Sequence, residues 1–120
     1  MKDIIPILCE KLKFINELSV LSGVFTHVPK DMSYPYISLE KLSVQESFGA
    51  EIMHLKLKVW SRYSGNAEIS TFESVLKNTL EKQGWIPGAC LKIESSKISI
   101  LNDGMTRILD MDLKIFVREI

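Results

Sequence analysis

Ile52-Met53-His54-Leu55-Lys56-Leu57-Lys58-Val59-Trp60-Ser61-Arg62-Tyr63 alternates large apolar and polar side chains along most of its length. Met53, Leu55, Leu57 and Val59 share one parity and His54, Lys56 and Lys58 the other. That is the period of a strand with one face on a core and the other facing water or a partner. Trp60 falls on the polar face, where so large a ring beside Lys56 and Lys58 would stand half exposed in a monomer. Gly49 precedes this strand in a connection, and Ser64-Gly65-Asn66 follows as a turn, with Asn66 placed to cap a helix.

Upstream, Tyr36 to Gln45 predicts the antiparallel neighbour. Ile37 and Leu39 have one parity but Leu42 and Val44 the other, so a one-residue bulge near Glu40-Lys41 is expected, keeping both pairs on the core. Before it, Val24-Phe25-Thr26-His27-Val28 predicts a short strand ended by Pro29. The loop Lys30 to Pro35 follows, and its proline forces Tyr34 into extended geometry. At the N-terminus Ile5, Leu8, Leu12 and Ile15 recur at helical spacing against Glu10, Lys11, Lys13 and Glu17. A helix is expected over roughly residues 4 to 20, capped by Asp3, accommodating Pro6 in its first turn and stopped by Gly23.

Downstream, Ile69, Phe72, Val75, Leu76, Thr79 and Leu80 predict a second helix, ended by Gly84 near Gln83. After the Trp85-Ile86-Pro87-Gly88 loop, Leu91 to Leu101 reads as a strand whose parity shifts around Ser95-Ser96. Asn102-Asp103-Gly104 signals a hairpin turn. Thr106 to Arg118 completes the pattern, with Leu109, Met111, Leu113, Ile115 and Val117 opposed to Asp110, Asp112, Lys114 and Arg118. The expected fold is α+β: a mainly antiparallel sheet of about five strands with two helices packed on one face, in the order α-β-β-β-α-β-β. Residues 1–120 form a single domain on this reading, since 120 residues bury one genuine core but not two.

Charge and composition narrow the function. Fifteen Lys and Arg balance fifteen Asp and Glu, so no global field recruits nucleic acid or an anionic membrane surface. A hydrophobic share of 46% with no net charge mildly favours life in a complex, because little long-range repulsion keeps copies apart. No 18-residue apolar run spans a membrane. The opening residues start like a signal peptide, but Glu10, Lys11 and Lys13 interrupt the apolar run before any cleavage site, so a cytoplasmic, reducing compartment is expected. Cys9 and Cys90 lie in apolar patterns and read as buried small hydrophobes; no CxxC and no Cys/His pair at ligand spacing occurs.

Chemistry is sparse. His27 and His54 lack partners at local spacing and read as surface or structural groups. Asp110 and Asp112 lie two apart on one strand face, a geometry open to a metal or a carboxylate pair, but Lys114 continues the row. A charged surface that pairs across a subunit boundary is the simpler reading. Neither GxSxG, HExxH nor a phosphate loop is present. Lys56, Lys58, Trp60 and Arg62 form a basic, aromatic stripe that could touch phosphate and stack on a base. Yet net neutrality and the lack of a second stripe argue against nucleic-acid binding as the main role. No catalytic residue, cofactor or metal is expected, so the chain reads as a part that assembles rather than an enzyme.

Three stretches, taken in order, carry a resemblance: Ser33-Tyr34-Pro35-Tyr36-Ile37, then His54-Leu55-Lys56-Leu57-Lys58-Val59-Trp60-Ser61-Arg62, then Gly65-Asn66-Ala67-Glu68. With the terminal hairpin Asn102-Asp103-Gly104-Met105-Thr106-Arg107, the chain resembles the tail-completion family (tail terminators, or head-tail joining proteins) of long-tailed bacteriophages, prophages and gene transfer agents. The resemblance runs from about residue 4 to the end, and is weakest at Cys90-Leu91-Lys92-Ile93. It implies a homo-oligomer, usually a hexameric ring, at the head-proximal end of a tail tube. Such a ring stops tube polymerisation, meets the tube protein and the head-side connector, and passes DNA through its lumen. It belongs to the virion neck, assembled in the bacterial cytoplasm. Lys56, Lys58, Trp60, Arg62, Arg107, Asp110 and Asp112 become candidates for the subunit interface or the lumen. The alternatives are another neck or tail tube subunit, or a small ligand-binding or enzymatic domain with Trp60, His54 and Asp112 gathered in one pocket.

Overall fold

The computed structural model describes residues 4–62 and 66–118; the proposed Asp3 cap, Tyr63 and the Ser64-Gly65 turn lie outside them. The elements are α1 (Ile4–Lys13), a 3-10 turn (Asn16–Leu18), β1 (Val24–Phe25), β2 (Tyr36–Ser47), β3 (Ala50–Ser61), α2 (Ala67–Leu80), β4 (Ala89–Ile100) and β5 (Arg107–Arg118). The strands form one sheet in the order β1-β2-β3-β5-β4. Contacts β2 with β3, β3 with β5 and β5 with β4 are antiparallel, but β1 runs parallel to β2, so the sheet is mixed rather than antiparallel throughout. The long connection from Phe25 to Tyr36 is no hairpin. It returns the chain to the same end, with Ile37 N–H donating to the Gly23 carbonyl at 3.0 Å and Ser22 N–H to the Pro35 carbonyl at 2.8 Å.

The element order also departs from the expected one, because the first helix is not continuous to residue 20. It ends at Lys13, Ile15 turns extended (φ −76°, ψ 116°), and a separate 3-10 turn follows. The break costs no burial: Leu8, Leu12, Ile15 and Leu18 all stay in the core. Asn66 occupies the N-cap position of α2 without a side-chain cap, and α2 stops at Leu80, before Gly84.

Burial in β3 alternates residue by residue from Ala50 to Ser61. Met53, Leu55, Leu57 and Val59 join Ile37, Leu39, Leu109, Met111, Leu113 and Ile115 against Leu8 and Leu12 of α1 and Ile69, Phe72, Leu76 and Leu80 of α2 in a continuous core. Both helices therefore cover one face, and the other is left open.

Two bulges keep that alternation in step. In β2 the register shifts between Lys41 and Ser43, one residue beyond the expected place, and in β4 between Ile93 and Ser95, at Glu94 rather than Ser95-Ser96. The β4 bulge puts Ile93 and Ile98 on the core side, opposite Leu113 and Leu109. The β2 bulge restores Val44 to the side of Met53, but Leu42 and Val44 both remain exposed. The helices do not reach that end of β2, so correct parity there brings no burial. Cys90 is exposed and Cys9 partly so, against the expectation of two buried thiols, and neither is in a disulfide among the described residues.

Candidate subunit interface

Cross-strand register lays the open face out in rows. Tyr36, Trp60, Ile108 and Ser99 form one; Ser38, Lys58, Asp110 and Lys97 the next; Glu40, Lys56, Asp112 and Ser95 the third; Ser43, His54, Lys114 and Lys92 the fourth. Five of the seven candidates, Lys56, Lys58, Trp60, Asp110 and Asp112, thus share one surface because β3 and β5 are paired in register with no bulge.

On that surface charges are matched locally. Lys56 Nζ lies 3.6 Å from Asp110 Oδ1 and 3.7 Å from Asp112 Oδ1, and Ser95 Oγ donates to Asp112 Oδ2 at 2.7 Å. His54 Nδ1 stands 3.5 Å from Glu94 Oε1, the residue that the β4 bulge turns outward. All these groups are partly solvated, so each pair contributes little to stability; what they provide is a charge-patterned surface.

Trp60 is anchored rather than loose. Its indole N–H donates to Ser38 Oγ at 2.9 Å, its ring stacks on Tyr36 at 5.9 Å, and Lys58 Nζ lies 5.8 Å from its centroid. Tyr34 packs on Tyr36 at 5.3 Å, and burial, followed by the neighbouring Tyr34, pushes the Tyr36 phenol above its ordinary pKa. Arg62 closes the row from outside: its guanidinium covers Tyr34 at 4.5 Å, Nε donates to Thr106 Oγ1 at 3.1 Å, and Nη2 is 3.9 Å from Asp103.

Arg107 is the exception among the candidates. It pairs in register with Ser61, whose side chain is on the helix side, and its Nε donates to Asn66 Oδ1 at 2.8 Å beside the start of α2. Ser61 Oγ in turn donates to Glu68 Oε1 at 2.6 Å. Arg107 therefore fastens α2 to the sheet end and does not reach the open face.

The pocket alternative finds no support in this layout. His54 and Trp60 are six residues apart on an extended strand, about 20 Å, and with Asp112 they lie on a continuous surface rather than around a cavity. Among the described residues no group of three or more His, Cys, Asp or Glu could hold a metal, and no helix is long and apolar enough to cross a membrane.

One feature escaped sequence reasoning. Phe48, at the β2–β3 turn, is fully exposed at φ +46°, beside Gly49 at φ +78°. The available signal was an aromatic where a two-residue hairpin turn prefers Asn, Asp or Gly. The sheet border has the long edges expected of it: because β1 spans only two residues, β2 has no strand partner beyond Ser38 on its outer side, and no strand lies outside β4, among the described residues.

The class these observations define is an α+β chain with a mixed five-stranded sheet, two helices on one face, and an uncovered, charge-patterned face between two open edges. A chain in a solved structure described as "Virion of native gene transfer agent (GTA) particle" is similar to it, with a TM-score of 0.74 over 91% of this chain and 90% of that one, at 18% identity. At that identity the likeness shows the fold. No protein-family model and no curated protein matches the sequence.

Proposed function

We propose that this chain is a tail terminator, a structural virion protein without catalysis. Six copies form a ring at the head-proximal end of a phage-like tail tube, end its polymerisation and join it to the head-side connector, in a particle assembled in the bacterial cytoplasm. The observation that carries this reading is agreement in fold with a gene transfer agent virion chain across nine tenths of both chains.

The surface physics supports it. Two unpaired strand edges are a liability in an isolated sheet. Directions in the sheet make them complementary: β2 and β4 run opposite ways, so rotating one copy beside another sets β2 against β4 as antiparallel neighbours. Such a contact joins different patches on the two copies and repeats until it closes. Two members of the basic stripe are compensated in place, Lys56 by Asp110 and Asp112 and Arg62 by Asp103, which weakens their hold on any phosphate in a lumen lined by this face.

The test is electron microscopy of tail tubes assembled with and without the protein, alongside light scattering of the free chain. A ring at one tube end and shortened tubes are expected. A chain that leaves tube ends and tube length unchanged would overturn the reading. One that stacks into long tubes by itself would be a tube subunit instead.

A further inference from the structure

Both long outer strands of the sheet carry one residue more than their inner neighbours, and at the same level. Between the row Ser43, His54, Lys114, Lys92 and the row Glu40, Lys56, Asp112, Ser95, β3 and β5 each pass through a single residue, Leu55 and Leu113. Over the same step β2 passes through two, Lys41 and Leu42, and β4 through two, Ile93 and Glu94. A bulge blunts an edge, because a regular strand laid against it loses step by one residue. Two edges bulged at one level stay in step with each other.

The bulged part of β2 is bare. Residues 41–46 are all exposed, Leu42 and Val44 among them, and β1 covers the strand only as far as Ser38. On β4 the Ile93 N–H turns away from β5 and donates to Glu81 Oε2 at 3.1 Å, and Glu81 is itself exposed. A solvated side chain thus holds a backbone donor that the carbonyl of a further strand would otherwise take. Nearer the start of β4 the Ala89 N–H donates to the Ile86 carbonyl at 3.1 Å, which leaves the strand from Leu91 onward for a partner.

We propose that residues 39–44 of one copy pair antiparallel with residues 91–96 of the next, with the two bulges opposed. This deepens the ring reading and rests on it, by giving the β2–β4 contact a register. Counting from Val44 opposite Leu91, the regular steps join residues of one face. Val44 and Leu91, like Leu39 and Ser96, lie on the helix side; Ser43 and Lys92, like Glu40 and Ser95, lie on the open face. Leu42 and Val44, exposed in one copy, meet Ile93 and Leu91 of the next, and no like charges stand opposite each other. The Leu42 carbonyl takes the Ile93 N–H over from Glu81. A slip of one residue would set the helix side of one copy against the open face of the next. A slip of two keeps the faces but sets each bulge against regular strand. A second copy is the fitting occupant because the matching bulge lies on the far side of this chain's own sheet.

Cys90 makes the register testable in the full chain, since the same count places Gln45 opposite it on the open face. Within one copy Gln45 and Cys90 belong to the row Gln45, Ile52, Phe116, Cys90. They are thus roughly 14 Å apart, beyond the reach of an internal disulfide. With Cys9→Ala removing the other thiol, Gln45→Cys under mild oxidation, in solution or on tube ends, should yield a ladder of covalent multimers on a non-reducing gel. Adding Cys90→Ser should abolish the ladder, and Ser43→Cys, two residues out of step, should give none. Leu42→Ser should weaken assembly about 10-fold by light scattering, with the thermal midpoint of the monomer unchanged. Linking through Ser43→Cys instead of Gln45→Cys, or multimers that neither link nor respond to Leu42→Ser, overturns this seam but leaves the ring. A wild-type chain monomeric at every concentration, and unbound to tube ends, overturns the ring reading and the seam with it.

Discussion

Tyr36 and Trp60 face each other across the β2–β3 pair, ring centroids 5.9 Å apart and planes within 16°. Tyr36 belongs to the Tyr34-Pro35-Tyr36 segment and Trp60 to Val59-Trp60-Ser61-Arg62, so two short motifs distant in sequence form one cluster. Arg62 completes it by returning to cover Tyr34. The cluster fixes the end of the hairpin opposite Phe48 and holds Trp60 flat on the open face.

Replacing Trp60 measures what this arrangement contributes to the isolated fold. Trp60→Ala loses an aromatic pair worth about 1 kcal/mol and the Ser38 hydrogen bond worth about another, so urea unfolding should show a loss of about 2 kcal/mol. Trp60→Phe keeps a ring on Tyr36 and should lose about half as much. An unshifted midpoint for Trp60→Ala would mean that the monomer does not use the indole.

Acid stability should depend on Asp103. Backbone N–H and hydroxyl hydrogen bonds from Thr106, then the Met105 N–H, hold its carboxyl at a pKa of about 2, below the ordinary 3.8. Because the folded pKa is depressed, this stabilisation is fully present above the unfolded value and is lost as pH falls from about 4 through about 2. Thermal midpoints taken across that window should fall less steeply for Asp103→Asn than for the wild type. Parallel curves would remove the turn from the acid response.

Much of this architecture was legible because it follows from parity. The alternation of Met53 to Val59 and of Leu109 to Ile115 dictates which face is buried, and the parity faults at Leu39/Leu42 and Ile93/Ile98 required bulges that the sheet contains. What parity cannot give is how far the helices extend over the sheet. Val44 has core parity yet lies beyond helical cover, and Leu42 is itself the bulged residue without a register partner. The parallel pairing of β1 was equally hidden, since two residues carry no periodic signal and direction is set by the connection. On the open face, register alone placed Lys56 between Asp110 and Asp112. Arg107 lies apart from the open-face candidates because strand parity turns it toward Asn66.

The uneven helical cover predicts unequal costs for similar truncations. Leu57 is fully buried at the centre of the sheet, whereas Val44 is exposed on the same helix-facing side. Leu57→Ala should cost about 2–5 kcal/mol through lost contacts and the cavity left behind. Val44→Ala should cost less than about 0.5 kcal/mol in the monomer. Denaturant unfolding of both variants under non-assembling conditions checks this, and equal losses would mean that the core extends to the hairpin tip.

The charge pattern of the open face can be tested through Lys56, whose ammonium is shared by Asp110 and Asp112. Lys56→Glu would place four carboxylates, with Glu40, Asp110 and Asp112, within one cross-strand patch, replacing two attractions with repulsions. The groups are partly solvated, so the loss should be about 1 kcal/mol, and it should depend on salt. Screening extends over about 30 Å at 0.01 M ionic strength and about 3 Å at 1 M. The difference in urea midpoint between variant and wild type should therefore shrink on raising salt between those limits. Adding Asp112→Lys to Lys56→Glu restores opposite charges across the β3–β5 pair and should recover most of the low-salt loss. A deficit indifferent to salt and unrelieved by the second change would mean that the Lys56 stem, packed along the sheet, matters rather than its charge.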